Sequence, residues 1–86
     1  MWVKNQDGIA VVSVDALALD PAEILKEDVK NVRIWGSIAD HDFVMGVYDS
    51  VGDAKAVLDD FTNAAVNKHE LFEMPKADEV SAKEVQ

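Results

Sequence analysis

The sequence predicts a small α+β domain: one antiparallel sheet made of two β-hairpins, four to five strands in all, with a single long C-terminal helix packed on one face. Three observations predict it. Residues 50–67 carry Ala54, Val57, Leu58, Phe61, Ala64 and Ala65 at three- and four-residue steps, one stripe of an α-helix, with Lys55, Asp59, Asp60 and Asn63 opposite. Apolar segments flank Asp7-Gly8, and a second pair of alternating segments flanks residues 39–42. Eighty-six residues allow one domain, and a chain of this length buries only about 60% of its unfolded surface.

Residues 1–5 and 9–14 surround Asp7-Gly8, the usual signal of a two-residue type I′ hairpin turn. That turn places Asn5 opposite Ala10, Val3 opposite Val12 and Met1 opposite Val14. Met1, Val3, Ala10, Val12 and Val14 then face the core, leaving Trp2, Lys4, Val11 and Ser13 outside. Residues 15–19 continue the alternation. Asp20-Pro21-Ala22-Glu23 follows, combining a candidate N-cap, a proline at the first helical position and an acid three residues after the cap. A short helical connection through residues 24–27 is expected, with Ile24 and Leu25 against the sheet edge.

Val32–Ile38 and residues 43–48 form the second hairpin, with Ala39-Asp40-His41-Asp42 as its loop. An even-length loop pairs Ile38 with Phe43, Gly36 with Met45 and Ile34 with Val47, and gathers these side chains on the inner face. Arg33, Trp35, Ser37, Val44, Gly46 and Tyr48 then lie outside; an odd loop exchanges the faces. Ser50 with Asp53 three residues on resembles a capping box, Asp49 being the competing cap. Beyond the helix, residues 71–74 read as a short extended segment ended by Pro75. Residues 76–86 lack large periodic apolar side chains and are expected to be a disordered or frayed acidic tail, so that the domain spans residues 1–75.

The order MW, NQD, the V-M-G-V-Y strand running into an A-x-x-V-L-D-x-F helix, and finally F-E-M-P is similar to small uncharacterised proteins of Gram-positive bacteria and their phages or prophages. The resemblance covers residues 1–75 and rests on short structural motifs. It implies a fold and a phage-related genomic setting, and carries no catalytic or ligand residue.

Seventeen acidic against eight basic side chains leave a net charge of −9, spread over both halves of the chain. Direct binding of nucleic acid is therefore not expected, since it requires basic patches. With no cysteine there is neither a disulfide framework nor a thiolate metal site, which fits a cytoplasmic setting. No segment reads as an export signal or a membrane span; no apolar run is longer than that of residues 9–12.

No residue constellation specifies a catalytic, cofactor or metal site. Asp40-His41-Asp42 are adjacent in a turn and cannot converge on one ion. Asp59 and Asp60 point about 100° apart on a helix, a poor arrangement for paired acid/base work. The outer aromatic face is the feature with a functional reading: Trp2, Arg33, Trp35 and Tyr48 are turned away from the helix-covered side, with Tyr48 opposite Arg33 at cation–π reach. Either residues 17–25 or 71–74 fold over these rings to complete the core, or the face is an interaction site.

Two functions follow. The first is a non-catalytic, phage-related protein-interaction module binding a protein partner or itself through that aromatic face. The alternative is an acidic DNA mimic that inhibits a nucleic-acid-binding host protein, of anti-restriction or anti-CRISPR type, through Asp49, Asp53, Asp59 and Asp60.

Overall fold

In the computed structural model, which describes residues 1–26 and 30–84, the chain runs β1 (Trp2–Lys4), β2 (Val11–Ser13), β3 (Ala16–Leu19), α1 (Pro21–Ile24), β4 (Val32–Ile38), β5 (His41–Tyr48), α2 (Val51–Val66), β6 (Leu71–Glu73) and α3 (Ala77–Glu84). The α+β class is as expected, but the six strands form two three-stranded sheets, ordered β2-β1-β6 and β3-β4-β5. The division arises at a corner after β2. There the Val14 N–H donates to the Met1 carbonyl and the next N–H, of Asp15, donates to Ser37, so consecutive residues belong to different sheets. The long helix is not C-terminal either, since β6 and α3 follow it.

The first hairpin keeps the expected register, Val3 opposite Val12, and Val3 and Val14 are buried. Its turn is different. The Gly8 N–H closes onto the Asn5 carbonyl, only Gly8 is left-handed (φ 74°), and the Asn5 side-chain oxygen accepts from the N–H groups of Ile9 and Ala10. A type I′ turn needs a positive φ at Asp7 as well. The faces of the paired residues survive because the loop still spans an even number of residues, but Ala10, expected in the core, is exposed at its end. On the other side of β1, β6 adds in parallel, Val3 opposite Phe72.

The second hairpin departs further. Its loop is only Ala39-Asp40, with Ala39 at φ 52° and its N–H held by the Asp15 carboxylate at 3.0 Å. Ile38 therefore pairs with His41 and Gly36 with Phe43, two residues from the expected register, which leaves the faces unchanged there. A bulge then intervenes: Trp35 pairs with Val44 but Ile34 with Gly46. The extra residue, Met45, reverses the faces of everything after it. Gly46 and Tyr48 consequently point into the core and Val47 opposes Arg33 on the outside.

Helix α2 begins at Ser50, whose hydroxyl oxygen accepts from the Asp53 N–H at 3.1 Å, as the capping-box pattern predicts. It ends in a Schellman arrangement, His69 N–H to Ala64 and Lys68 N–H to Ala65, with Lys68 left-handed at φ 58°. Its buried Ala54 and Val57 meet Val32, Ile34 and Tyr48 from the inner face of β3-β4-β5, while Phe61 meets Phe72 of the other sheet edge-on, ring centroids 5.4 Å apart. The helix thus spans both inner faces.

Residues 77–84, expected as a frayed tail, form α3, and its Val80 is buried in the common core. Asp78 and Glu79 in its first turn suit the positive end of the helix dipole. Residues 85–86 lie outside the described residues, as does the Glu27 end of the expected connecting helix. That connection forms as α1, capped by Asp20, which accepts from the Ala22 N–H at 2.9 Å. Leu25, expected against the sheet, is 84% exposed because α1 ends one residue earlier.

Candidate functional site

With the core and α2 on its inner side, β3-β4-β5 presents Ala18, Arg33, Trp35, Ser37, Asp42 and Val44 on the outside. Strand β3 lies beside β4, so Ala18, Trp35 and Val44 form one row across the sheet. Trp35 is partly buried, while Ala18 and Val44 are exposed. The Arg33 guanidinium lies over the Trp35 ring, 5.5 Å from its centroid, and Arg33 Nε is 3.8 Å from Glu23 Oε2. One face of the indole is therefore held by a cation that α1 in turn anchors.

Where β3 leads into α1, Ala18, Leu19, Asp20 and Pro21 rise beside Trp35 and, with Ser37 and Asp42, line a groove of about 400 Å³. That is the lower end of the range for small-ligand pockets. The Ser37 hydroxyl donates to Asp42 Oδ1 at 2.7 Å, tying the two polar strands together. Trp35 Nε1 is shielded from solvent and has no acceptor among the described residues. A buried donor left so costs about 1–3 kcal/mol.

The residues expected to share an aromatic face do not all share one. Arg33 and Trp35 are together. Tyr48 is only 1% exposed, on the inner side, opposite Val32 rather than Arg33, because of the Met45 bulge. Its hydroxyl donates to the Pro75 carbonyl at 2.8 Å. Burial raises the Tyr48 phenol well above its usual pKa, and the nearby charge of Glu79 adds to the rise. Trp2 is 53% exposed but lies on the other sheet, between Ser13 and Leu71. Strand β6 thus flanks Trp2 and β3 flanks Trp35, while Met74, just past β6, is buried in the core with Tyr48.

The four acids considered for DNA mimicry are also divided. Asp59 and Asp60 are exposed on α2. Asp49 is exposed and Asp53 is 2% exposed, and the two share the single proton of the Ser81 hydroxyl, whose oxygen is 2.8 Å from Asp49 Oδ2 and 2.9 Å from Asp53 Oδ2. These two carboxylates dock α3 onto the start of α2. Among the described residues no three His, Cys, Asp or Glu side chains stand together as a metal site, and no helix is long and apolar enough to cross a membrane.

Sequence reasoning missed the groove and one structural residue, Gln6. The Gln6 N–H donates to the Met45 carbonyl, and its side-chain amide both accepts from the Val47 N–H and donates to the Val47 carbonyl, each at 2.9 Å. The free edge of β5 is thereby closed by one carboxamide, which also reaches the Pro75 carbonyl at 3.2 Å. Nothing local distinguishes a glutamine that will do this. No family model, curated protein or solved structure matches the chain.

Proposed function

We propose that the chain is a non-catalytic protein-interaction module whose contact surface is the outer face of β3-β4-β5, centred on Trp35 and Arg33. The observation that carries this reading is the placement of a tryptophan-floored groove on the sheet face opposite α2 and the core. Tryptophan and arginine are the residue types most enriched where binding energy concentrates. The arginine here is already oriented by Glu23, which lowers the entropy lost on contact. Trp2 and Tyr48 fall away from this surface, the first on the other sheet and the second in the core.

A partner other than a second copy is favoured by charge, since each copy carries −9 and like charges oppose close approach. The test compares a protein captured by the wild-type chain with capture by Trp35→Asp and by Trp2→Asp. The first substitution abolishes capture while the far-UV circular dichroism stays native, and the second leaves it intact. Equal capture by all three chains contradicts the assignment.

A further inference from the structure

We infer that the occupant of the groove is a basic, extended segment of a partner protein that lays lysine or arginine side chains against the carboxylates of its lining, Asp20 and Asp42. This rests on the proposed contact surface and specifies what that surface accepts. The lining has two chemistries. Ala18, Pro21 and Trp35 supply an apolar wall, while Asp20, Ser37 and Asp42 supply oxygen acceptors. A long cationic side chain has the same division, an aliphatic stem and a charged head.

Each carboxylate has capacity left. Asp20 Oδ1 accepts from the Ala22 N–H and Asp42 Oδ1 from the Ser37 hydroxyl, and the Oδ2 of each has no hydrogen-bond partner among the described residues. Arg33 does not neutralise them, since its ion pair is with Glu23. Covering the groove with an apolar segment strips water from two carboxylates without replacing it, an unfavourable exchange. A second copy brings a further net charge of −9, and a nucleic acid brings its phosphates. A basic side chain alone supplies both the stem and the countercharge.

The full chain, labelled with ¹⁵N, is titrated at low salt with three peptides: acetyl-Gly-Arg-Gly-Lys-Gly-amide and its analogues with Gln or Glu at both charged positions. The basic peptide is expected to give saturable shifts at the Trp35 indole N–H and the Ala18, Ser37 and Asp42 amides, and the Glu analogue none. Asp42→Asn, which retains an acceptor for Ser37, weakens binding about threefold or more. Asp60→Asn, the same charge change on α2, leaves it unaltered, and Ser37→Ala provides a second variant at the groove.

Equal shifts around Asp59 and Asp60, or equal weakening by Asp42→Asn and Asp60→Asn, overturn the inference in favour of diffuse attraction. Equal binding of the Gln analogue overturns the basic chemistry but leaves the contact surface standing. No shift with any peptide also overturns the inference, and the capture experiment with Trp35→Asp then judges the surface separately.

Discussion

Tyr48 joins two interactions in one side chain: its ring fills the core and its hydroxyl holds the Pro75 carbonyl at the joint between β6 and α3. A tyrosine in the unfolded chain ionises near pH ~10, whereas burial and the Glu79 charge raise the folded value. Below that pH both states hold the proton and Tyr48 adds no pH dependence. Above it the unfolded state binds fewer protons, so stability falls as pH rises. Denaturation midpoints measured on either side of pH ~10 should show this alkaline loss in the wild type and a smaller one in Tyr48→Phe. At neutral pH the same substitution costs about 1 kcal/mol through the missing hydrogen bond. Gly46 belongs to the same site, because a β-carbon there comes within 2.9 Å of the Tyr48 ring. Gly46→Ala is therefore expected to destabilise by about 1–3 kcal/mol in urea unfolding, through overpacking.

At the scale of the elements, local signals and long-range ones separate cleanly. The Ser50 cap, the Asp20-Pro21 start of α1 and the register of the first hairpin are written in neighbouring residues, and each forms as read. The Met45 bulge is not, because one unpaired residue changes no composition yet reverses every face beyond it, and that is why Tyr48 was expected outside. The parallel pairing of β6 with β1 joins residues some seventy positions apart and has no local signature. Helix α3 has a weak sequence signal, Ala77 and Val80 being its only described apolar anchors, and its acidic first turn is the one local clue. Val80→Ala should cost about 2 kcal/mol, measured by chemical denaturation, if α3 is part of the domain. A negligible cost would return residues 76–86 to the status of a tail. The C-terminus of α2 gives the opposite sign: Lys68 holds a left-handed conformation that glycine adopts without penalty, so Lys68→Gly should stabilise by about 1 kcal/mol.

For the whole molecule, two small sheets share one interior, with α2 across their inner faces and Gln6 joining the first hairpin to the edge of β5. Because the helical cover lies on one side, the far side of β3-β4-β5 is left with Trp35, Arg33 and the groove. That asymmetry was only half legible in the sequence. The alternation around Trp35 turns it outward, but Asp20 and Asp42 line one groove beside it only through the pairing of β3 and β5 with β4, and the β3 pairing has no signal in residues 15–19. The central claim is that Trp35 belongs to a surface and not to the core. Urea denaturation of Trp35→Asp, followed by far-UV circular dichroism, tests it most directly. A surface tryptophan predicts a native spectrum in water and a loss of about 1–2 kcal/mol, from the cation–π contact and the poor strand propensity of aspartate. A chain unfolded in water, implying a loss of about 5 kcal/mol or more, would place Trp35 in the core and contradict the account.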